Sequence, residues 1–486
     1  MGKNINIKLV FKIIGFLLIL EACFILLALI PSAYFQEGDF FPLLYSGVIT
    51  LFFGLLLWFS FKRKKQGHLG KKEGYVVVST AWLIYSVFGA LPFLLSGTTS
   101  TYTDAFFEAM SGITTTGATI LTDIEAAPKG VLFWRSITQW IGGMGIIVLS
   151  LVLLPILGIG GISLFIAEIP GPTKEKIHPR IIETAKRLWL IYFLLTAIQA
   201  VLMKFGGLNW YDSVCHAFTT MATGGFSTKN DSIAAFAPHI QYIIIMFMII
   251  GGTNFVLTYF MLKGRFSKLY KNEEFRFYIL VLAVISVIIF IPLIFLQNMG
   301  IEEAFRTATF QVVSITTTTG YITADYMQWN NALWFIIFLL FFTGACAGST
   351  SGGFKMVRQL LLIKNSSLEL KRLIHPNAVI PVRFNGKPVS QELIYNVLAF
   401  FLFYMIIFAF SSLAMSLFPV VDFKTAIGAA ASCLGNIGPG IGMVGPVENF
   451  SFLPDAAKWY LSFLMMVGRL EIFTVIILFA PGFWKN

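Results

Sequence analysis

Four short polar motifs interrupt an otherwise apolar chain of 486 residues. They are Thr114-Thr115-Thr116-Gly117-Ala118-Thr119, Met221-Ala222-Thr223-Gly224-Gly225-Phe226, Thr317-Thr318-Thr319-Gly320-Tyr321 and Gly435-Asn436-Ile437-Gly438-Pro439. Aligned on Gly117, Gly224, Gly320 and Gly438, they recur at spacings of 107, 96 and 118 residues. Their chemistry is that of neutral oxygen. A row of carbonyls facing one axis needs dihedral angles that a Cβ obstructs and that glycine permits. Threonine adds hydroxyl oxygens without charge. No Asp or Glu falls inside any motif, which argues against a calcium-type acidic ring. Many neutral oxygens and no fixed carboxylate suit a hard monovalent cation that must enter and leave quickly. One such motif alone reads as a plain helix break. Four in matched surroundings do not.

The surroundings are matched. Before each motif comes a moderately apolar stretch too short to cross a bilayer, near 104–120, 212–226, 303–321 and 422–438, and each begins at an acid: Asp104, Asp212, the Glu302/Glu303 pair and Asp422. An acid suits a helix N-terminus. Each stretch is therefore expected to be a half-membrane helix whose partly negative C-terminus faces the bilayer centre, where the motif sits. Non-helical backbone at that depth is tolerated only where protein buries it or water lines it. Around these stretches lie ten apolar runs of spanning length: 9–30, 40–60, 75–97, 131–160, 188–204, 240–262, 277–297, 332–363, 394–420 and 459–481. The expected fold is an all-α polytopic membrane protein. Two leading helices (1–72) precede four helix–pore-loop–helix repeats (73–173, 174–268, 269–375 and 376–486), arranged with pseudo-fourfold symmetry around one pore.

Composition supports this. The chain is 57% hydrophobic and 12% charged, with 50 Phe and 42 Gly. A soluble domain is about one quarter charged, so a cytosolic enzyme, a disordered chain and a secreted disulfide scaffold all fit poorly. The net charge of +11 sits in short loops rather than in a basic patch with exposed aromatics, so no nucleic-acid partner is expected. Cys23, Cys215, Cys346 and Cys433 lie in or beside apolar runs without metal-ligand spacing and read as small apolar fillers. Of the 35 Lys and Arg, 27 fall in segments on one side of the spans. That side is the cytoplasm, with both termini on it. The other face holds 7 basic and 14 acidic residues. Those acids either concentrate cations at a pore mouth or only keep the face soluble. Glu21 lies in the first run, outside the repeats, where a helix-packing hydrogen bond is expected rather than ion passage.

Thr318-Thr319-Gly320-Tyr321 resembles a potassium-channel filter, and the whole layout resembles the Trk/Ktr/HKT superfamily of cation transporters. Gln139-Trp140-Ile141-Gly142-Gly143-Met144-Gly145, Gly344-Ala345-Cys346-Ala347-Gly348-Ser349-Thr350-Ser351-Gly352-Gly353-Phe354-Lys355 and Gly468-Arg469-Leu470-Glu471 are similar to its TrkH-type branch. The resemblance covers essentially the whole chain. It implies potassium (or rubidium) uptake across a bacterial inner membrane by a homodimer. It also implies a filter at Thr115, Thr116, Gly117, Ala222, Thr223, Gly224, Thr318, Thr319, Gly320, Asn436, Ile437 and Gly438. In that superfamily Gly at the first filter position goes with potassium and Ser with sodium preference; this chain has Gly117. The fourth motif departs from Thr-Gly, so one quadrant should differ.

The eighth run breaks at mid-membrane over 343–353, just cytoplasmic of the third motif. The resemblance implies a gating loop there, with Gly344, Ala345, Gly348, Ser349, Thr350, Gly352 and Gly353. Arg469, inside the last run, needs a partner because a buried charge is costly. Carbonyls of that loop are its expected partners, so that Arg469 pins the loop across the pore when closed; an interhelical ion pair is the alternative. Lys355 either repels cations at the inner mouth or anchors its helix. The phrases around His178 and Arg180 and around His375, continuing to Arg383, share Ile-His-Pro. They either dock the cytosolic nucleotide-binding TrkA-type ring that the family uses or are duplicated helix-ending turns. The chain has no phosphate-binding loop or dinucleotide fingerprint of its own, so any nucleotide belongs on that partner. No cofactor is expected beyond the transported K+. Membrane lipid is the remaining partner. An intramembrane enzyme finds no placed catalytic set. A non-transporting receptor leaves the four motifs unexplained. A Na+- or H+-coupled potassium symporter stays open as the alternative, since filter residues do not reveal coupling.

Overall fold

The computed structural model describes residues 7–60, 71–148, 177–378 and 380–484, and of residues 71, 144, 146–148 and 177–185 the backbone alone. Two leading helices, α1 (Ile7–Leu27) and α2 (Phe40–Ser60), cross closely because Gly15 and Gly54 meet there. A Cβ on either would run into the backbone of the other helix. The first repeat is α3 (Lys71–Gly89), the half-helix α4 (Tyr102–Ile113) and α5 (Lys129–Val148). The second is α6 (Ile177–Phe205), half-helix α7 (Trp210–Met221), α8 (Pro238–Gly251) and α9 (Phe255–Leu262). The third is α10 (Glu273–Gln297), half-helix α11 (Ile301–Thr316), α12 (Asn331–Leu340) and α13 (Met356–Ile374). A small hairpin, β1 (Arg383–Phe384) and β2 (Lys387–Pro388), turns through Asn385 and Gly386, both at positive φ as an Asn-Gly turn requires. The fourth repeat is α14 (Gln391–Ser416), half-helix α15 (Phe423–Gly435) and α16 (Asp455–Arg469).

Each half-helix starts where the acids stand. Thr101 and Asn209 cap α4 and α7 by accepting from the backbone N–H of Asp104 (3.1 Å) and Asp212 (2.7 Å). Asp422 is itself the cap of α15, accepting from Thr425 N at 3.2 Å. α11 has no side-chain cap and begins after Gly300.

Among the described residues six helices are long and apolar enough to cross a bilayer, and two bent pairs raise this to eight. The expected run 131–160 passes out of the described residues after Val148, and the run 332–363 is broken over 341–355. Two other expectations need correction. The runs 240–262 and 459–481 are not continuous helices. The first bends by 113° between Gly251 and Phe255, and the second by 109° between Arg469 and Phe473. At the first bend Asn254 starts a new helix by accepting from Val256 N at 2.8 Å. At the second, Glu471 and Ile472 both take positive φ. Arg469 therefore ends a helix at the bend rather than lying inside a continuous one. Glu21 also differs from expectation. It is fully buried, but neither carboxylate oxygen has a hydrogen-bond partner among the described residues.

Candidate functional site

After each half-helix the chain makes the same backbone move. Thr115, Thr223, Thr318 and Asn436 take the left-handed conformation at φ 51°, 53°, 56° and 54°. The next residue donates its N–H back into the half-helix: Thr116 to Ser111 O (2.9 Å), Gly224 to Thr219 O (2.9 Å), Thr319 to Ser314 O (2.8 Å) and Ile437 to Ser432 O (3.0 Å). A glycine at positive φ follows: Gly117, Gly225, Gly320 and Gly438 at 85°, 80°, 77° and 105°. The sequence alignment on Gly224 is thus one residue out. Gly224 occupies the place of Thr116, Thr319 and Ile437, and Gly225 is the true counterpart of the other three glycines. Ala222 falls one step earlier than the filter alignment put it. A signal for this was in the sequence: six residues before each structurally matched glycine stands a hydroxyl residue, Ser111, Thr219, Ser314 or Ser432.

These loops close on one another. A Cβ on Gly117 would strike Gly224 O, one on Gly225 would strike Thr319 O, one on Gly320 would strike Ile437 O, and one on Gly438 would meet Thr116 O. The four carbonyls belong to one layer, and the contacts run from repeat one through four and back to one. The glycines are therefore required twice, by φ and by the neighbour's approach. A cavity of about 360 Å³ opens on the ring, lined by Gly117, Gly225, Gly320, Gly438 and the strands that follow them. Bracing comes from behind. Gln139 Nε2 donates to Gly224 O (2.6 Å) while its Oε1 accepts from Phe226 N (3.0 Å). The Tyr321 hydroxyl meets Thr219 Oγ1 at 2.5 Å. Asn436 Nδ2 donates to Thr116 Oγ1 (3.0 Å) and Met465 O (2.8 Å), a crosslink peculiar to the fourth quadrant.

The 341–355 break lies against this ring. Gly352 N donates to Thr318 Oγ1 at 2.7 Å, and Thr350 Oγ1 donates to Met221 O at 3.0 Å. The bend after α8 holds the same loop. Cys346 N donates to Gly252 O (3.0 Å), Asn254 Nδ2 to Ala347 O (2.7 Å), and Phe255 N to Gly348 O (3.1 Å). Glu274 accepts from Ala347 N at 2.6 Å. Ser349 turns inward to Cys346 O, Ala345 O accepts from Met356 N, and Gly344 packs on Gly352 and Gly353. Arg469, 1% exposed, donates to Thr350 O at 2.8 Å and to Gly142 O at 3.2 Å. Glu471 pairs elsewhere, with Arg358 at 2.5 Å. Lys355 folds back to Ser351 O and Oγ, which gives its anchoring alternative a contact.

On the outer side, five of the seven basic residues pair with acids: Lys129 with Glu37, Arg135 with Glu108, Lys229 with Glu125, Arg306 with Glu302 and Lys458 with Asp104. Each pair takes one acid and one base, so the excess of acids on this face remains beyond the pairs. Sequence reading missed Glu108 and Arg135 as a buried pair. His375 ends α13 and Arg383 opens the hairpin, both exposed. The side chains of His178 and Arg180 lie outside the described residues.

Four half-helices with glycine loops closed into a ring, set among membrane-length helices, define a polytopic membrane protein with pore-loop repeats. A family model described as cation transport protein, TrkH, matches residues 42–485. The chain is 41% identical over 490 residues to the Trk system potassium uptake protein TrkH of Escherichia coli K12, covering 99% of this chain and 100% of that one. It is 39% identical to the Vibrio parahaemolyticus TrkH over 484 residues, covering 98% and 99%. The crystal structure of the potassium transporter TrkH from Vibrio parahaemolyticus superposes with a TM-score of 0.91 at 36% identity, covering 99% of this chain and all of that one. The chain belongs to the TrkH family of cation transport proteins.

Proposed function

We propose that this protein takes up potassium through the ring of neutral oxygens at the four loops, each quadrant contributing the residues that end at Gly117, Gly225, Gly320 and Gly438. The observation that carries the reading is the closed succession of glycine-to-carbonyl approaches from repeat to repeat. It puts uncharged oxygens in one layer, which a cation can use in place of its hydration shell. Potassium rather than another cation is favoured by the names of the relatives and by Gly at position 117. The four repeats are then four walls of one pathway, with boundaries as the sequence divides them.

The 343–353 loop is the gate in this reading. Gly344, Ala345, Gly348, Ser349, Thr350, Gly352 and Gly353 supply its turns, and Arg469 pins it through Thr350 O. A TrkA-type cytosolic ring carrying the nucleotide would dock on the surface that includes His375 and Arg383, with His178 and Arg180 completing it. The protein would work as a homodimer in a bacterial inner membrane, with both termini in the cytoplasm, and as a transporter without a catalytic step.

The test is rubidium flux into proteoliposomes holding this chain alone, competed separately by potassium and by sodium. Block by potassium and not by sodium is expected. Equal block, or flux that waits for a second ion gradient, would replace this reading with a sodium-type or coupled mechanism.

A further inference from the structure

Behind the vestibule wall lies an ion pair that neither the ring nor the gate accounts for. Glu108, in α4, is fully buried, and Arg135, on α5, is 2% exposed, with Arg135 Nε 2.6 Å from Glu108 Oε1. The same carboxylate accepts from the Thr119 hydroxyl (2.9 and 3.1 Å) and from Ile120 N (3.0 Å). Arg135 Nη1 donates to Ser227 O at 2.9 Å, and the guanidinium lies 3.5 Å from the centroid of the Phe226 ring. Thr119 and Ile120 follow Gly117 by two and three residues. Phe226 and Ser227 follow Gly225 by one and two. One pair therefore ties together the outward strands of two adjacent quadrants.

The corresponding position, nine residues before each ring glycine, holds Glu108, His216, Gln311 and Ala429. His216 Nε2 meets Ser227 Oγ at 2.9 Å, and Gln311 Nε2 donates to Thr323 Oγ1 at 3.3 Å. Half-helix-to-strand tethers thus recur in the first three quadrants, but a carboxylate–arginine pair serves the tether only in the first. Stability is a poor reason for it, because a buried ion pair is commonly matched or bettered by apolar packing. Position offers a better reason. Arg135 lines the vestibule cavity beside Gly117 and Gly225. Without its carboxylate it would oppose an arriving cation. Without the guanidinium, Glu108 would keep only the Thr119 and Ile120 donors, and the second strand would lose its tether, behind a vestibule already lined by Asp231, Asp325 and Glu448.

We propose that Glu108 and Arg135 are specificity-determining positioning residues. The pair fixes the spacing of the first two filter strands, and Glu108 cancels the Arg135 charge at the vestibule. The inference rests on the potassium-filter reading above.

The experiment compares full-length wild type with Glu108→Gln, Arg135→Gln and the double variant, by rubidium flux in proteoliposomes competed by potassium and by sodium. An uncancelled unit charge acting at an effective dielectric of about 20 should lower flux by about tenfold or more in Glu108→Gln. Arg135→Gln should keep flux but let sodium compete. The double variant should regain flux, because the charges again cancel, and still admit sodium, because the clamp is gone. Thr119→Val leaves the pair and removes one tether, so it should also weaken sodium exclusion; it carries the test if Glu108→Gln does not purify folded. Wild-type selectivity in all variants that fold would overturn the proposal. So would a double variant whose flux stays as low as that of Glu108→Gln. Wild-type protein that fails to prefer potassium would instead overturn the filter reading.

Discussion

Arg469 and Gly225 carry the sharpest consequences of single side chains. A hydrogen bond from a charged donor contributes about 1.5–3 kcal/mol. Arg469→Ala removes two such bonds, to Thr350 O and Gly142 O. If Arg469 pins the loop, resting rubidium flux should rise by about tenfold, as one bond's worth of bias predicts. Unchanged flux would leave Arg469 a purely structural residue. Gly225→Ala should abolish selective flux. Ala at positive φ costs about 1–2 kcal/mol, and its Cβ would also collide with Thr319 O. Gly224→Ala carries no positive-φ cost and meets a side chain rather than a ring carbonyl, so it should weaken flux, by displacing the Gln139 brace, rather than abolish it. Uptake by the two variants side by side tests the register: a heavier loss at Gly224 would restore the original alignment. That alignment failed for a local reason. A Thr-Gly pair at 223–224 looks like its counterparts, and only the hydroxyl six residues upstream of Gly225 points the other way. Glu108 and Arg135 were illegible for a different reason. Twenty-seven residues and a loop separate them, and both read as ordinary outer-face charges.

At the scale of elements, the half-helices were legible because acids, caps and shortness all mark them. The bends after Gly251 and Arg469 were not. A bent span is as apolar as a straight one, and hydropathy carries no angle. Yet these bends free the Gly251 and Gly252 carbonyls to hold the loop. Shortening the loop by deleting part of 344–352 should raise resting flux even with Arg469 in place, and flux measured in proteoliposomes checks this independently of the arginine. The outer loops allow a pH test. The Asn230 side-chain amide and the Ala126 backbone N–H hold the Asp123 carboxyl below the usual carboxylate range. A lowered folded pKa contributes stability above the unfolded value of about 3.9, lost as pH falls through the folded one. Asn230→Ala should therefore lower thermal stability more at pH 7 than once pH has fallen through the lowered Asp123 pKa, where only the bond from Ile124 N is left to lose; an equal loss at both pH values would exclude the carboxylate as the partner that matters.

At the scale of the molecule, the loop touches the ring it is proposed to control, through Gly352 N and Thr318 Oγ1. Coupling between two sites is reciprocal. An ion settled in the ring should change the accessibility of the loop as surely as the loop changes passage of the ion. Cysteine labelling of Gly348→Cys should therefore respond to replacing potassium with an impermeant cation, and identical labelling in both would separate gate from ring. The ring also has a genetic consequence. In a pore assembled from four identical subunits, one codon change alters every wall at once, and no wall can drift alone. Here each wall has its own codons, so Asn436 can reach across to Thr116 while the matching Thr223 and Thr318 do not have to. A single substitution is a quarter-dose perturbation, and selection can tune one side of the passage while the other three keep it open.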